Sequence, residues 1–279
     1  AEVQWARLWP PSGRTTTMDE ATPQTLTPPR PLEPRQSAII VGASSGIGAA
    51  LARRLAAEGY ALGLLARREQ HLQRLCAQIN TAGAGQALCF LHDVLATADV
   101  PALFQKVCVA LGGLDLFVYN SGTQYPNDAD VFSAENDLHV FRVNLLGAAT
   151  WLNLAAERFQ RAGAGHIVGI GSVAGDRGRR GMPAYTASKA GLHTYLEGWR
   201  NRLARHGVAV TTIKPGQVQT ALLKNADRER GPIPVEAAAD LIWQAIRQRR
   251  ATAYVPARWA LVGWVVRHLP GFIFRRLNI

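Results

Sequence analysis

A parallel sheet of about seven strands, doubly wound with helices on both faces in three α/β/α layers, is predicted by three features of this 279-residue chain. Short apolar runs alternate with longer segments of helical period from residue 37 onward. Parallel strands need right-handed helical crossovers, so this alternation points to a sheet buried between two helical layers. A glycine-rich turn joins the first run to the first helical segment. With 48% hydrophobic and 18% charged residues, the chain can bury one large core, and no internal repeat or second core is visible.

Residues 1–36 come first and stand apart, with seven of the fifteen prolines, six threonines and no strand or helix period. Such a segment cannot bury enough apolar surface to offset its ordering entropy, so a disordered leader is expected, with Met18 as an alternative start. Strands are then expected at 37–41, 61–65, 86–91, 114–119, 166–170, 208–213 and 252–255. The intervening helices are expected to begin near Gly46, Glu69, Thr97, Ser133, Pro183 and Pro234. This assigns residues 37–256 to one catalytic domain and 257–279 to a basic, apolar extension.

The formal charge of +11 is uneven: residues 1–36 are neutral, 37–240 carry +4, and 241–279 carry seven arginines and no acid. A basic total suggests nucleic acid, but no groove-reading helix motif or aromatic platform accompanies it, and nucleic acid is not an expected partner. No run of eighteen uncharged apolar residues occurs, and the N-terminus lacks a signal-peptide pattern, so a cytoplasmic protein is expected. Cys76, Cys89 and Cys108 form no C-x-x-C pair and lie in apolar segments. They are expected to be buried thiols, and no structural metal is expected.

At the first strand-to-helix junction stands Val41-Gly42-Ala43-Ser44-Ser45-Gly46-Ile47-Gly48. Glycines there let the backbone approach a pyrophosphate, which then sits on the positive helix end, although such a turn can also serve helix packing alone. The second strand ends in Ala66-Arg67-Arg68, with no carboxylate to hold a ribose 2′-hydroxyl. Two guanidiniums suit the 2′-phosphate of NADP(H), Arg67 being the first choice because it directly follows the strand. The alternative is that both arginines are a solvated helix entry.

Tyr185 and Lys189 are four apart in a helical segment and share a face. A lysine cation about 4 Å from a phenolate, at an effective dielectric of about 20, is worth about 4 kcal/mol. That suffices to bring a tyrosine near neutrality and make it a general acid for a ketone or a base for an alcohol. Ser172 follows a strand end, where ligands of open sheets collect and where a hydroxyl can bond a substrate oxygen. Taken singly, each residue has a plain structural reading as a cap or helix pair.

Together, the glycine turn, Asp93-Val94, Asn120-Ser121-Gly122, Asn144, Ser172, Tyr185-x-x-x-Lys189 and Pro215-Gly216 resemble the short-chain dehydrogenase/reductase family across residues 37–256. The resemblance implies a single Rossmann-type domain acting on carbonyls and alcohols with a nicotinamide cofactor, NAD(P), which the two arginines narrow to NADP(H). Ser172 would orient the carbonyl, Tyr185 transfer the proton, Lys189 also hold the nicotinamide ribose, and Asn144 support a water in the proton relay. Gly42, Ser44, Ser45, Gly46, Ile47 and Gly48 would hold the pyrophosphate, and Asp93 with Val94 the adenine. Asn120 and Gly122 would support the cofactor, with Pro215, Gly216, Val218 and Thr220 by the nicotinamide. Tyr119 departs from the family's usual asparagine, which puts a family-like contact there in doubt. A homodimer or homotetramer is also implied.

Two loops are expected at the substrate. Residues 173–184, with Asp176, Arg177, Arg179 and Arg180, form either a basic rim for a phosphorylated carrier or a solvated loop. Residues 217–234 form a lid whose Leu222 and Leu223 suggest a lipophilic substrate. For residues 257–279, tryptophans between arginines suit a membrane surface, and the alternative is packing across a subunit interface or over the substrate mouth. Beside the reductase, a noncatalytic NADP-binding redox sensor and a peripheral membrane-associated binding protein stay open.

Overall fold

The computed structural model describes residues 36–125, 130, 132–225 and 231–277, so all but the last residue of the leader expected at 1–36, and the lid residues 226–230, lie outside the described residues. The strands are β1 Ser37–Val41, β2 Ala61–Ala66, β3 Gln86–Leu91, β4 Leu116–Tyr119, β5 Gly165–Ile170, β6 Val208–Pro215 and β7 Thr252–Val255. All pair in parallel, in the order β3-β2-β1-β4-β5-β6-β7. The helices are α1 Gly46–Ala57, α2 Glu69–Ala82, α3 Val100–Leu111, α4 Ala134–Phe141, α5 Gly147–Ala162, α6 Pro183–Leu203, α7 Val235–Arg247, α8 Arg258–His268 and α9 Gly271–Phe274.

Alternate residues of the central strands feed opposite faces of the sheet. Ile40, Leu62 and Leu64 pack with Leu51, Leu55, Leu72 and Ile242 on the face covered by α1, α2 and α7. Ile39, Val41 and Phe117 pack with Trp151, Leu152, Phe159 and Leu196 on the face covered by α3, α5 and α6. Because both faces are covered, β1, β2 and β4 are buried along their whole length, which is why they read as unbroken apolar runs. The edge strand β3 differs, and its Cys89 is exposed, which corrects the expectation of three buried thiols.

Two other expectations change. The segment starting at Ser133, whose hydroxyl caps Asn136 N at 3.2 Å, is not one helix: a π-helical turn, Arg142–Leu146, separates α4 from α5. That turn leaves the Val143 carbonyl to accept a 2.7 Å bond from the fully buried Tyr119 hydroxyl. Tyr119 is thus a brace between β4 and the π turn. The tail beyond β7 also forms two helices, α8 and α9, which rest on the loop after β5. None of the described helices is long and apolar enough to cross a membrane.

The register pairs Val41 with both Leu65 and Tyr119, and Tyr119 with Gly169, so the carboxyl ends of β1, β2, β4 and β5 lie side by side. Strand order reverses between β1 and β4, and open α/β sheets bind ligands at such a switch point.

Candidate active site

A cleft of about 390 Å³ opens at those strand ends. At one end lies the turn after β1. Gly42 and Ala43 donate to Leu65 O at 2.8 and 3.1 Å, folding the chain back over β2. A Cβ on Gly48 would stand 2.2 Å from Gly42 O and 2.5 Å from Asn120 Nδ2, so only glycine lets α1 start this close to the turn. Asn120 closes the same junction with a 2.7 Å bond from Nδ2 to Gly42 O. No side chain caps α1 at Ser45, so its first N–H groups face the cleft as an anion site.

Both arginines after β2 line the cleft, but they differ in placement. Arg68 reaches over the turn, donating to Ser44 Oγ at 2.9 and 3.2 Å and to Ser45 Oγ. Arg67, the first choice from sequence, instead points at Asp93, with Nη1 3.6 Å from Oδ2 in a half-exposed pair. Asp93 also accepts from Leu95 N at 3.0 Å. His92 and Val94 line the cleft on either side of it. The His92 contribution was not foreseen, although it directly precedes the Asp93-Val94 pair expected at the adenine.

At the other end, Ser172, Tyr185 and Lys189 line the cleft together. Pro183 opens α6, and the four-residue spacing sets Tyr185 and Lys189 on one face. Lys189 is buried, with Nζ 3.0 Å from Ile170 O and 3.2 Å from where a Cβ on Gly122 would sit. Burial brings its ammonium down to about 8. Ser172 Oγ accepts from Ala174 N at 3.1 Å, which leaves its own proton to donate.

The electrostatics of Tyr185 correct the sequence argument. Nζ of Lys189 lies 5.9 Å from the phenol ring centroid, and its hydrogen bond goes to Ile170 O. Burial raises the Tyr185 phenol above its ordinary value, while a hydrogen bond with Ser172 and the charge of Arg179 act the other way. Ser172 and Arg179, not Lys189 alone, are therefore the groups of this chain that favour the phenolate.

Asn144 sits behind the cleft, fully buried in the π turn. Oδ1 accepts from Thr123 N at 2.7 Å, and Nδ2 donates to Thr123 O and Ser188 Oγ, each at 3.0 Å. One amide proton thus pins the loop after β4 and the other ties the π turn to α6. On the nicotinamide side, Pro215, Gly216, Val218 and Thr220 line the cleft, and Thr220 N donates to Val218 O at 2.7 Å.

The loop after β5 is not the basic rim that its composition suggests. Asp176 is buried, with its side chain 1% exposed, and binds Lys214 Nζ at 2.6 Å, Tyr254 OH at 2.8 Å and Arg267 at 2.8 Å. Arg177 turns to α8, donating to Val266 O at 2.6 Å and Leu269 O at 2.5 Å, and stacks 4.1 Å over the Phe274 ring. Of the three arginines only Arg179 lines the cleft. His193 links Asp176 to the site: its Nε2 accepts from Ser172 N at 3.3 Å, and its Nδ1 is 4.0 Å from Asp176. Burial and the Lys214 charge push this imidazole down to about 3, so it stays neutral and able to accept.

Above the serine and tyrosine the cleft is apolar, walled by Met182, Leu222, Leu223, Trp259, Val262 and Val266. Gln124 and Asn225 exchange amide bonds across its mouth, Gln124 Nε2 to Asn225 O at 3.2 Å and Asn225 Nδ2 to Gln124 O at 2.9 Å. A Cβ on Gly216 would lie 2.0 Å from Trp259 Nε1, so the tail's tryptophan occupies space that only glycine leaves. The residues fit a dinucleotide: besides the uncapped helix end, His92 Nε2 and Trp259 Nε1 are buried polar atoms without a protein partner, and both residues line the cleft.

Residues 36–231 match the family model described as short chain dehydrogenase. An uncharacterized oxidoreductase of Mycobacterium tuberculosis is 30% identical over 245 residues, which cover 87% of this chain and 97% of that protein. A short-chain dehydrogenase from Sphingobium yanoikuyae, solved in complex with NADPH, is 26% identical with a TM-score of 0.74, over 85% of this chain and 97% of the other. One from Burkholderia phymatum, solved with NAD, shares the fold at 24% identity and a TM-score of 0.78, over 88% and 96% of the two chains.

Proposed function

This chain belongs to the short-chain dehydrogenase family of oxidoreductases, and from that membership we propose that it is an NADP(H)-dependent reductase interconverting a ketone or aldehyde and an alcohol. The observation that carries the reading is the convergence of Ser172, Tyr185 and Lys189 on the same cleft as the glycine turn and the two arginines. When bound, the nicotinamide supplies the hydride that reduces the carbonyl carbon. The Ser172 hydroxyl donates to the carbonyl oxygen, and the Tyr185 hydroxyl gives it a proton as negative charge develops there. Lys189, held by Ile170 O beside Gly122, offers its remaining N–H groups toward the ribose side of the cleft. Asn144 keeps the 122–124 backbone in place against that lysine.

Preference for NADP(H) rests on Arg67 and Arg68 standing where NAD-dependent sites carry a carboxylate. Arg68 bridges the Ser44 and Ser45 hydroxyls at the cleft's phosphate end, and Arg67 stands beside Asp93. The Sphingobium relative, solved with NADPH, is consistent with this preference. The apolar wall of Met182, Leu222, Leu223 and Trp259 favours a lipophilic carbonyl compound.

Turnover of Tyr185→Phe with NADPH and a hydrophobic ketone tests the reaction: kcat should fall by about 10²–10⁴ with the fold intact, and undiminished turnover would refute the assignment. For the cofactor, Arg67→Asp combined with Arg68→Asp should weaken NADPH about ten- to a hundredfold, the range for lost charge-assisted hydrogen bonds, and spare NADH. Equal losses for both cofactors would remove the 2′-phosphate reading.

A further inference from the structure

Helix α8 carries two apolar stripes on opposite sides. Trp259, Val262, Gly263 and Val266 fall at helical spacing on the inner side, where Trp259 and Gly263 are buried and the valines line the cleft. Leu261, Trp264 and Val265 fall on the outer side, with Leu261 69% and Trp264 61% exposed. α9 adds two more exposed apolar side chains, Phe272, 60% exposed, and Ile273. A helix apolar all round is normally covered on all sides, and here only Trp259 and Gly263 of the inner stripe are buried by the described residues, while Val262 stays 41% exposed. Exposed apolar side chains grouped at helical spacing in this way mark an interaction site.

The charges around it indicate what covers it. Arg275 and Arg276 directly follow α9, and no acid occurs anywhere in residues 241–279. A second copy meeting this face isologously would set arginine against arginine with no tail carboxylate to compensate. Anionic headgroups complement the arginines, while acyl chains accept leucine, tryptophan and phenylalanine. The surface is also held firmly: Arg177 caps the α8 carbonyls at Val266 and Leu269 and stacks on Phe274, and Arg267 is tied to buried Asp176.

We propose that the outer face of α8 and α9, carrying Leu261, Trp264 and Phe272 beside Arg275 and Arg276, docks the protein on an anionic lipid surface. This places the apolar mouth of the cleft, walled by the inner stripe of the same helix, next to the membrane interface. The docking does not rest on the proposed reaction, because it is read without turnover.

Flotation of the full chain with phosphatidylcholine vesicles, with and without phosphatidylglycerol, tests it. Wild type should float with the anionic vesicles only, and added salt should release it. Leu261→Glu combined with Trp264→Glu should lower binding about tenfold or more. Arg275→Glu should lower it about fivefold, and serves as the second probe should the double variant fold poorly by circular dichroism. Absence of flotation, equal flotation on both vesicle types, or binding indifferent to these substitutions would overturn the proposal. So would a dimer that Leu261→Glu dissociates without any flotation, since that would give the face to a second copy.

Discussion

Replacing Asp176 with asparagine should cost this fold several kcal/mol. Among the described residues the carboxylate is the one acid paired with Lys214, whose side chain is 9% exposed, and it also holds Tyr254 and the outer Arg267. The amide keeps the shape but leaves the lysine charge buried without an anion. Breaking a buried pair from one side costs about 3–5 kcal/mol, whereas the half-exposed Arg267 end adds about 1 kcal/mol or less. Taking about 3 kcal/mol, the folding constant should drop about a hundredfold and Tm by about 6–12 °C for a unit of this size. Urea unfolding followed by tryptophan fluorescence reads the loss, and a value below about 1 kcal/mol would refute the idea of a buried hub.

The same assay has a pH signature. Burial pushes the Asp176 carboxyl up, but hydrogen bonds from Lys214 and Tyr254 and the charges of Lys214 and Arg267 outweigh it and hold it below its ordinary value. A depressed folded value stabilises above the unfolded value of about 3.9 and is lost as pH falls through the folded one. Wild type and Asp176→Asn should therefore differ most near neutrality and converge in acid.

Three further outcomes follow from the geometry. Gly48→Ala forces a Cβ to within 2.2 Å of the Gly42 carbonyl, and should cost about 1–3 kcal/mol and weaken NADPH in a fluorescence titration. Trp259→Ala removes a buried wall of the cleft and should cost about 3–5 kcal/mol in denaturant melts while raising KM for apolar ketones more than it lowers kcat. Lys189, brought down to about 8 by burial, is a cation whose folded value lies below its unfolded value of about 10.4. The unfolded chain then binds more protons between those values, so wild-type stability relative to Lys189→Met should rise as pH climbs from about 8 to about 10.

Much of the architecture was legible because it depends on local pattern. Buried strands read as apolar runs, and each expected strand meets its observed counterpart within two residues at either end. The glycine turn was legible because close backbone approach excludes side chains, and Tyr185-x-x-x-Lys189 because helical spacing alone puts both on one face. The break in the helix after Ser133 left no periodic signal, since a π turn inserts a single residue into an otherwise helical run. Cys89 was misjudged because an apolar strand does not announce that it is an edge.

By itself, then, the sequence determined the strand and helix order, the family, and the residues that meet at the switch point, for these follow from spacing along one chain. Only the tertiary structure decided how neighbours distant in sequence alter those residues. It bonded Lys189 to Ile170 O, and set Arg68 over Ser44 and Ser45 while Arg67, the first choice for the 2′-phosphate, points at Asp93. It turned Asp176 and Arg177 from a presumed rim into a buried hub and a helix cap, and brought Trp259 of the tail against Gly216. The physical reason is common to all four: charge and burial depend on what else fills the space, and that is set by contacts across the sheet and across many residues of chain.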